Sequence, residues 1–498
     1  MKFKLRPIFK DVSLTFITEI VVLIGMIFIY KLIAKNFGPE GLGKYSLVRR
    51  VVSFFYPFFL LGIGIGLPRF ISMSKDKNQR SCYIKVGVTV VIGCTLIFIT
   101  ITNLFKEFFS RIFLGHIDYT NLVFPFSILL LGLILHFLIY SYFCGRLFVK
   151  TFNLLQAINL AIAPLVILLI FNNISIEKII VLIGITTITI GFIFSLFFIK
   201  EFVIPVAMQQ LNKSLKELLR YSIPRVPGVF AWIAFFSLGP IFAGHLTSIK
   251  EVGYLSVSQS LLFGLGGVVT PLSIILLPKV SSLISQGKQK TIKENVNLLI
   301  SATLQCSIYM CAQLMVFSDA IIKYWLGSEF FNAIPVMRIV LISITFYAFH
   351  VAMRGILDAV KVKPLNAINI SISLGIFLLL AGISFFFKSL PPIISLSIAF
   401  TSGLMCLGVL TYMSVRKIYP ENPKVDLRYL WIAIVVNILL GSLAKLTKSF
   451  IISKFYYLIV FEIILVMIYL SILWLLKMDW LRAIPKLIKI ESSPFLVD

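Results

Sequence analysis

Apolar residues in this chain occur in long, nearly uncharged runs that are separated by short polar connections. A helix that spans a membrane needs about 20 mostly apolar residues. The connections near 200–220 and 278–295 are the longest, and both are polar and rich in lysine. The pattern predicts an all-α integral membrane protein with about fourteen transmembrane helices and no large domain outside the membrane. These helices are predicted at 12–34, 45–69, 81–103, 121–145, 149–171, 178–200, 221–245, 252–277, 296–319, 332–357, 364–387, 391–415, 428–447 and 455–477.

The composition agrees with a chain that lies in lipid. Of the 498 residues, 59% are hydrophobic and 13% are charged, whereas soluble proteins carry about 25% charged residues. The N-terminus is basic, but the run that follows is helix-length and has no small-residue cleavage pattern, so we interpret it as an uncleaved first transmembrane helix. The six cysteines are scattered without a CxxC spacing, which indicates neither a metal site nor a disulfide framework.

The distribution of lysine and arginine predicts the orientation in the membrane. About two thirds of the 46 Lys and Arg residues lie in the N-terminus, in every second connection and in the C-terminus. Positive residues concentrate on the cytoplasmic side, so we expect a multi-pass protein of the cytoplasmic (cell) membrane with both termini inside. Much of the net charge of +26 then reflects topology, and no nucleic-acid partner is indicated.

The sequence also repeats itself at an offset of 210 residues. Each predicted repeat holds six helices, an even number, so both copies enter the membrane in the same orientation. This predicts two parallel six-helix bundles related by an axis along the membrane normal, which is a transporter layout. The matching landmarks are Pro68 and Pro278, Gly43 and Gly253, Pro125 and Pro335, Gly145 and Gly355, and the QAINL and NAINI stretches at 156–160 and 366–370.

The predicted domains follow from this repeat. Residues 1–205 form the N-terminal six-helix bundle and residues 206–420 form the C-terminal one. Residues 421–498 contain two extra transmembrane helices and a cytoplasmic tail.

Several motifs resemble those of a known family. The chain reads FGPEGLGKYSL, GLPRFIS, ELLRYSIPRVPG, KEVGYLSVSQSL, LLPKVSSL and WLGSEFFNAIPVMRIVL in consistent order. In these stretches it resembles the polysaccharide flippases of the multidrug/oligosaccharidyl-lipid/polysaccharide exporter superfamily. The resemblance implies two six-helix lobes, and a substrate glycan linked to polyprenyl pyrophosphate that is turned over to the outer leaflet. In one respect the chain departs from many relatives, because Ser237 to Pro240 occupy the part of helix 7 where they place an acid.

Polar side chains inside the apolar runs are the candidates for function, because a charge at the centre of a membrane helix costs at least about 2.5–3.5 kcal/mol. Arg49 and Arg50 lie near the start of predicted helix 2. They could bind phosphate oxygens bidentately, or they could extend to the outer headgroups. Glu19 on predicted helix 1 is a candidate ligand for the coupling ion. The structural alternative is a carboxylate that is held by a neighbouring lysine or by a polar cytoplasmic rim.

Predicted helix 10 carries a second charged group. His350, Arg354 and Asp358 follow one another at intervals of four residues and therefore share a face. His350 and Arg354 are candidate substrate ligands and Asp358 a candidate coupling-ion ligand, whereas an Arg354–Asp358 ion pair is the structural alternative. Arg338 enters the same helix from the outer side and is expected to face the cavity.

Amides on predicted helix 5 form a polar stripe. Gln156 and Asn159, together with Asn153, suit sugar hydroxyls and equally suit hydrogen bonds between helices. Because Asn366 and Asn369 repeat the pattern, the structural alternative is favoured.

The sequence shows no enzyme signature. It contains no P-loop lysine motif and no HExxH or HxxxH spacing, so neither ATP hydrolysis, nor a catalytic set, a metal site or a cofactor is indicated. We predict a flippase for a polyprenyl-pyrophosphate-linked oligosaccharide that works by alternating access, with possible H⁺ or Na⁺ coupling and a glycan polymerase or ligase as partner. The alternatives are a multidrug/cation antiporter, a peptidoglycan-precursor (lipid II) flippase, and a membrane glycan polymerase or glycosyltransferase, which would need a large external loop.

Overall fold

The computed structural model describes the backbone of residues 5–285, 289–360, 364–386, 390–418, 427–451, 455–476, 478 and 480–481. The side chains of 5–10, 12, 268, 270–295, 359–360, 385–386, 427, 429, 448–451 and 455 lie outside this description. Within the described residues the regular structure is helical throughout, as the long apolar runs predict.

Eleven helices and the start of a twelfth precede residue 261. They are α1 Leu5–Leu60, α2 Ile63–Met73, α3 Lys77–Leu104, α4 Lys106–Phe109, α5 Val123–Gly145, α6 Val149–Ala157, α7 Ala163–Ile170, α8 Ile176–Ser195, α9 Ile199–Val203, α10 Met208–Ser222, α11 Val226–Leu246 and α12 Ile249–Ser285.

Eight further helices follow. They are α13 Gln289–Val316, α14 Ser318–Trp325, α15 Ile334–Leu341, α16 Ile344–Val360, α17 Leu365–Phe386, α18 Pro392–Ile418, α19 Leu427–Ile451 and α20 Phe455–Leu475.

The chain packs into two compact units. The first runs to Ser260 and includes Phe377–Phe400, and the second comprises Leu261–Ile376 and the chain from Thr401 onward. The boundaries therefore fall inside α12, α17 and α18. The domains predicted above follow the sequence repeat rather than these packing units, so they stay a prediction.

Helix α1 folds back on itself, although its helical backbone is nearly continuous. The exception is Gly38, whose φ of 63° and ψ of −166° are not helical. Fifteen residues of straight helix would separate Tyr30 from Tyr45 by about 22 Å at 1.5 Å per residue. Their ring centres are instead 6.2 Å apart. The bend at Gly38 therefore separates the two predicted helices 12–34 and 45–69.

The structure contains eleven helices that are long and apolar enough to cross a membrane, or twelve if a bent pair is counted, among the described residues. The bent pair is Ser328–Leu341 with Ile344–Asp358, at 50° to each other. The count of fourteen is not confirmed. The run 12–34 shares α1 with the run 45–69, and the run 252–277 falls on α12, whose side chains from 270 onward lie outside the described set.

Aromatic packing forms much of the core of the first unit. The ring of Phe55 on α1 lies 4.8 Å from that of Phe98 on α3 and 4.7 Å from that of Phe113. Phe109 and Phe126 contact the same ring. Such pairs contribute about 0.5–1.5 kcal/mol each beyond the area that they bury. This is useful in lipid, where apolar surface alone does not drive helices together.

Polar contacts join one set of helix ends in the first unit. Lys44 Nζ lies 3.2 Å from Glu177 Oε1, and Asn121 Nδ2 donates to the same oxygen at 3.4 Å. The His245 Nε2 atom lies 2.9 Å from the carbonyl oxygen of Ile112. All five residues belong to, or lie next to, connections that are predicted to be outside.

A second polar cluster joins the other set of helix ends. Glu201 Oε1 lies 2.6 Å from Arg146 Nη1 and 3.2 Å from Arg80 Nη2. The Tyr142 hydroxyl donates to Glu201 Oε2 at 3.2 Å. The whole length of α8 separates Glu177 from Glu201, so the two clusters lie at opposite ends of this helix. Connections that are predicted to lie on opposite sides of the membrane thus meet at opposite ends of this unit.

Candidate functional site

Arg49 and Arg50 lie on the second limb of α1, and both side chains are half-buried. Arg49 Nη1 donates to the Tyr45 hydroxyl at 3.4 Å, and its guanidinium carbon is 5.7 Å from the centre of the Tyr45 ring. Among the described side chains, neither arginine forms an ion pair with a carboxylate. The cations are thus surrounded by aromatic and neutral polar groups, which leaves guanidinium N–H donors for an anion.

Tyr30 links these arginines to α12. Its buried ring packs edge-on against Tyr45, and its hydroxyl accepts a hydrogen bond of 3.1 Å from Ser260 Oγ. The bend at Gly38 creates this site, because it brings the two limbs of α1 side by side.

Gln259 on α12 is a further polar group in the first unit. Its side chain is fully buried, and neither Oε1 nor Nε2 has a hydrogen-bond partner among the described atoms. Leaving a buried polar group unpaired costs about 1–3 kcal/mol. Gln259 and Ser260 are also the repeat counterparts of Arg49 and Arg50. The repeat therefore predicts Gln259 and Ser260 as the neutral hydrogen-bonding counterparts of the two arginines.

Glu19 and Gln156 meet in the first unit. Gln156 Nε2 donates to Glu19 Oε1 at 2.9 Å, and one turn earlier Asn153 Nδ2 donates to Thr15 Oγ1 at 3.0 Å. The Glu19 side chain is exposed. The candidate coupling carboxylate and one of the candidate substrate amides are therefore direct partners across α1 and α6.

Asn159 is placed differently. It is buried, and its Nδ2 atom lies 3.1 Å from His136 Nδ1 on α5. This contact supports the role in helix packing that the sequence favoured for the amide stripe. Asn369, the repeat counterpart of Asn159, likewise donates to Ser414 Oγ at 3.0 Å inside the second unit.

The residues on the charged face of predicted helix 10 contact two different helices of the second unit, α17 and α18. His350 is buried, and its Nδ1 atom lies 2.8 Å from Thr411 Oγ1 on α18. Asn366 Nδ2 on α17 donates both to the Arg354 carbonyl at 2.9 Å and to Asp358 Oδ1 at 2.7 Å. In the part of the chain that is described, Arg354 and Asp358 form no ion pair.

Arg338 is exposed, and its Nε atom donates to the Ser318 hydroxyl at 2.8 Å. The predicted site residues thus fall into separate groups. Arg49 and Arg50 form one group, and Glu19 with Gln156 forms another. The side chains of four remaining predicted residues are held by local partners within their own unit, namely Asn159, Arg338, His350 and Asp358. Arg354 accepts a hydrogen bond through its backbone carbonyl.

One carboxylate inside a predicted span was not among the predicted site residues. Glu462 lies in α20, and its Oε2 atom accepts a hydrogen bond of 3.3 Å from the Tyr309 hydroxyl. The Tyr309 ring stacks on that of Tyr469 at 4.8 Å. The available signal was a single acid in the otherwise apolar run 455–477. Across the described residues, no group of three or more His, Cys, Asp or Glu side chains could hold a metal ion.

Residues 8–284 of the chain match the model of a protein family that is described as polysaccharide biosynthesis protein. The match covers more than half of the chain. The chain belongs to this family. A comparison with curated protein sequences finds no significant match.

Solved structures show the same fold as this member of the polysaccharide biosynthesis protein family. A lipid II flippase MurJ in an inward closed conformation matches with a TM-score of 0.70 and 16% identity, over 94% of this chain and 99% of that one. An inward-facing multidrug resistance MATE family transporter of the MOP superfamily matches with a TM-score of 0.61 and 11% identity, over 81% of this chain and 98% of that one. A MOP superfamily transporter from Pyrococcus furiosus matches with a TM-score of 0.55 and 12% identity, over 83% of this chain and 97% of that one. The chain is therefore a multi-pass membrane protein with the fold of these transporters.

Proposed function

We propose that this chain is a flippase that moves an oligosaccharide or polysaccharide repeat unit, carried on polyprenyl pyrophosphate, across the cell membrane by alternating access. Its membership of the polysaccharide biosynthesis family and its transporter fold support this function. The observation that carries the proposal is the pair Arg49 and Arg50, two half-buried cations without a carboxylate partner among the described residues.

The charge of this pair favours an anionic substrate over a cationic drug. Guanidinium groups bind phosphate oxygens through paired, charge-assisted hydrogen bonds. A cation antiporter would instead need acidic groups at its binding site.

Gln259 and Ser260 supply the neutral half of the proposed site. The unpartnered amide of Gln259 offers both a donor and an acceptor, which suits a sugar hydroxyl. In this proposal Arg49 and Arg50 bind the pyrophosphate, and the amide and hydroxyl groups bind the glycan. The prenyl tail stays in lipid.

We further propose that both termini are cytoplasmic and that an H⁺ or Na⁺ gradient drives the exchange. Glu19 and Asp358 are the candidate carboxylates for the coupling ion. A glycan polymerase or ligase would receive the product at the outer leaflet.

Complementation of a flippase-deficient strain supplied with the cognate glycan pathway tests the function. We expect the Arg49→Gln/Arg50→Gln variant to lose at least tenfold in transport at normal membrane abundance, since a hydrogen bond to a charged group contributes about 1.5–3 kcal/mol. Double replacement by Lys should give an intermediate result, because the charge remains but the bidentate fork is lost. The matched control is Lys31→Gln/Lys35→Gln, which removes two exposed charges from the same helix.

The outcomes separate the alternatives. Full complementation by the double Gln variant would withdraw the arginine site. Drug resistance without rescue of glycan export would favour the multidrug exporter. Rescue of a strain that lacks its peptidoglycan-precursor flippase would favour the lipid II function.

A further inference from the structure

Two motifs of the sequence analysis, GLPRFIS and ELLRYSIPRVPG, meet at Tyr221 in the first unit. The guanidinium carbon of Arg225 lies 3.6 Å from the centre of the Tyr221 ring, and that of Arg69 lies 4.2 Å from the same point. Both arginines are exposed. In the described part of the chain, neither of them forms an ion pair with a carboxylate.

The backbone packing around Ser222 brings the motifs together. A Cβ at Gly62 would collide with the carbonyl oxygen of Ser222, and a Cβ at Gly66 would collide with its hydroxyl. Glycine at these two positions therefore lets α2 approach the C-terminal end of α10 closely. Arg69 and Phe70, one turn further along α2, then reach Tyr221, where the Phe70 and Tyr221 ring centres are 5.7 Å apart.

Both guanidinium groups are held in place without using a negative charge. The ring of Tyr221 attracts each of them through its π-face, and Arg225 Nη1 also donates to the Tyr221 carbonyl oxygen. Two cations this close to one ring repel each other. An anion that contacts both guanidinium groups would relieve that repulsion, and the planar forks match phosphate oxygens.

The surroundings add positive charge. The amphipathic helix α10 packs its apolar face on α2 and α3, and it exposes Lys213, Lys216 and Arg220. Its acid Glu217 is already engaged, since it accepts a hydrogen bond of 2.6 Å from the Tyr83 hydroxyl. A helix of this type, basic on one face and apolar on the other, is typical of the membrane–water interface.

We propose that Arg69 and Arg225, positioned by Tyr221, form a binding site for the diphosphate headgroup of a polyprenyl-linked lipid at the membrane surface. The identity of the headgroup rests on the proposed function. The site differs from Arg49 and Arg50, which lie on α1 and contact Tyr45. Because Arg69 and Arg225 are exposed, they can bind a headgroup before it enters the protein.

Binding to the purified full chain in nanodiscs of neutral phosphatidylcholine tests the site. The probe is labelled geranylgeranyl diphosphate. All variants are compared in an Arg49→Gln/Arg50→Gln background, which removes the other proposed diphosphate site. In that background we expect Arg69→Gln/Arg225→Gln to raise the Kd at least tenfold. Tyr221→Leu should raise it severalfold although both arginines remain, whereas Tyr221→Phe, which keeps the ring, should bind like the background protein. The control Arg111→Gln/Lys178→Gln removes two exposed charges at the other end of the unit and should leave the Kd unchanged.

A second arm distinguishes the lipid diphosphate from an ordinary anionic phospholipid. Phosphatidylglycerol added to the nanodiscs at tenfold excess over the probe should displace little of it. Complete displacement would overturn the proposal in favour of general lipid binding. Unchanged probe affinity in Arg69→Gln/Arg225→Gln would also overturn it.

Complementation separates this site from the proposed function. If the wild-type chain restores glycan export but Arg69→Gln/Arg225→Gln leaves the affinity for the probe unchanged, the proposed headgroup site is contradicted and the proposed function is not. A wild-type chain that restores no glycan export contradicts the function, and with it the assignment of the headgroup.

Discussion

Gly43 and Gly253, which are repeat counterparts 210 residues apart, pack against each other in the first unit. A Cβ on Gly253 would lie 3.2 Å from the backbone nitrogen of Gly43 and 3.4 Å from the carbonyl oxygen of Pro39. A Cβ on Gly43 would collide with the carbonyl oxygen of Ile249, and Ile249 is the counterpart of Pro39. Reciprocal contacts of this kind arise where a two-fold axis passes between two equivalent segments.

This contact predicts that Gly43 tolerates no side chain. Gly43→Ala should destabilise the protein by about 1–3 kcal/mol, the usual cost of overpacking, because backbone atoms must move to admit the methyl group. Gly253→Ala should cost less, since its neighbours lie at 3.2 Å or more. Thermal unfolding of the purified protein in detergent measures both effects.

Gly93→Ala is the control for this pair. No atom lies within 4 Å of a Cβ at that position, so the substitution should be neutral or slightly stabilising in helix α3. Equal stability of the Gly43 and Gly93 variants would contradict the close approach.

The Glu201 cluster should contribute strongly to stability. Its side chain is 13% exposed, and those of Arg80 and Arg146 are 16% and 27% exposed. Glu201→Gln leaves both cations without their shared carboxylate, so we expect a loss of about 2–3 kcal/mol in the free energy of unfolding. Thermal unfolding in detergent should show the loss as a lower Tm.

The matched control is Asp118→Asn, which breaks the contact between Asp118 and His116. Those side chains are 75% and 61% exposed, and exposed ion pairs contribute only about 0–1 kcal/mol. A Glu201 variant as stable as the Asp118 variant would show that the cluster does not hold α3, α5 and α9 together.

The orientation of the two polar clusters can be measured by labelling single cysteines in a cysteine-free background. We expect residues 201–219 to react only with reagent that reaches the cytoplasm, and residues 172–177 to react from outside. The reason is the concentration of Lys and Arg on one side of the membrane. External labelling of 201–219 would invert the predicted topology.

The sequence predicted the helices well because helix length and apolar content are local properties. It placed a break between the first two runs, and the contact between Tyr30 and Tyr45 shows the chain turning back there. The sequence did not predict that the connection between these runs is itself helical on both sides of Gly38. Only the backbone of that single residue departs from the helix, and the apolar pattern does not record so local a feature.

The candidate site was predictable only in part. Arg49 and Arg50 stood out as charges in an apolar run. Tyr30 did not, since its importance depends on which helices pack together. The cation–π contacts of Tyr221 depend likewise on close packing between α2 and α10. The only sign of this packing in the sequence is the pair of glycines Gly62 and Gly66.

The last prediction concerns Glu19, which we propose as a carboxylate that couples transport to an ion gradient. Glu19 is exposed and has one amide partner, Gln156. In Glu19→Gln the replacement amide can still accept that hydrogen bond through its oxygen, so the fold should persist while the titratable group is lost. We therefore expect normal abundance, and glycan transport into proteoliposomes that no longer responds to an imposed H⁺ or Na⁺ gradient. Glu462→Gln is the matched control, because Glu462 is also an acid within a span and also accepts a hydrogen bond, from Tyr309, but is not one of the proposed coupling residues. It should keep the gradient response. A Glu19 variant that responds to the gradient like wild type would remove Glu19 from the coupling mechanism, and Asp358→Asn would then test the remaining candidate.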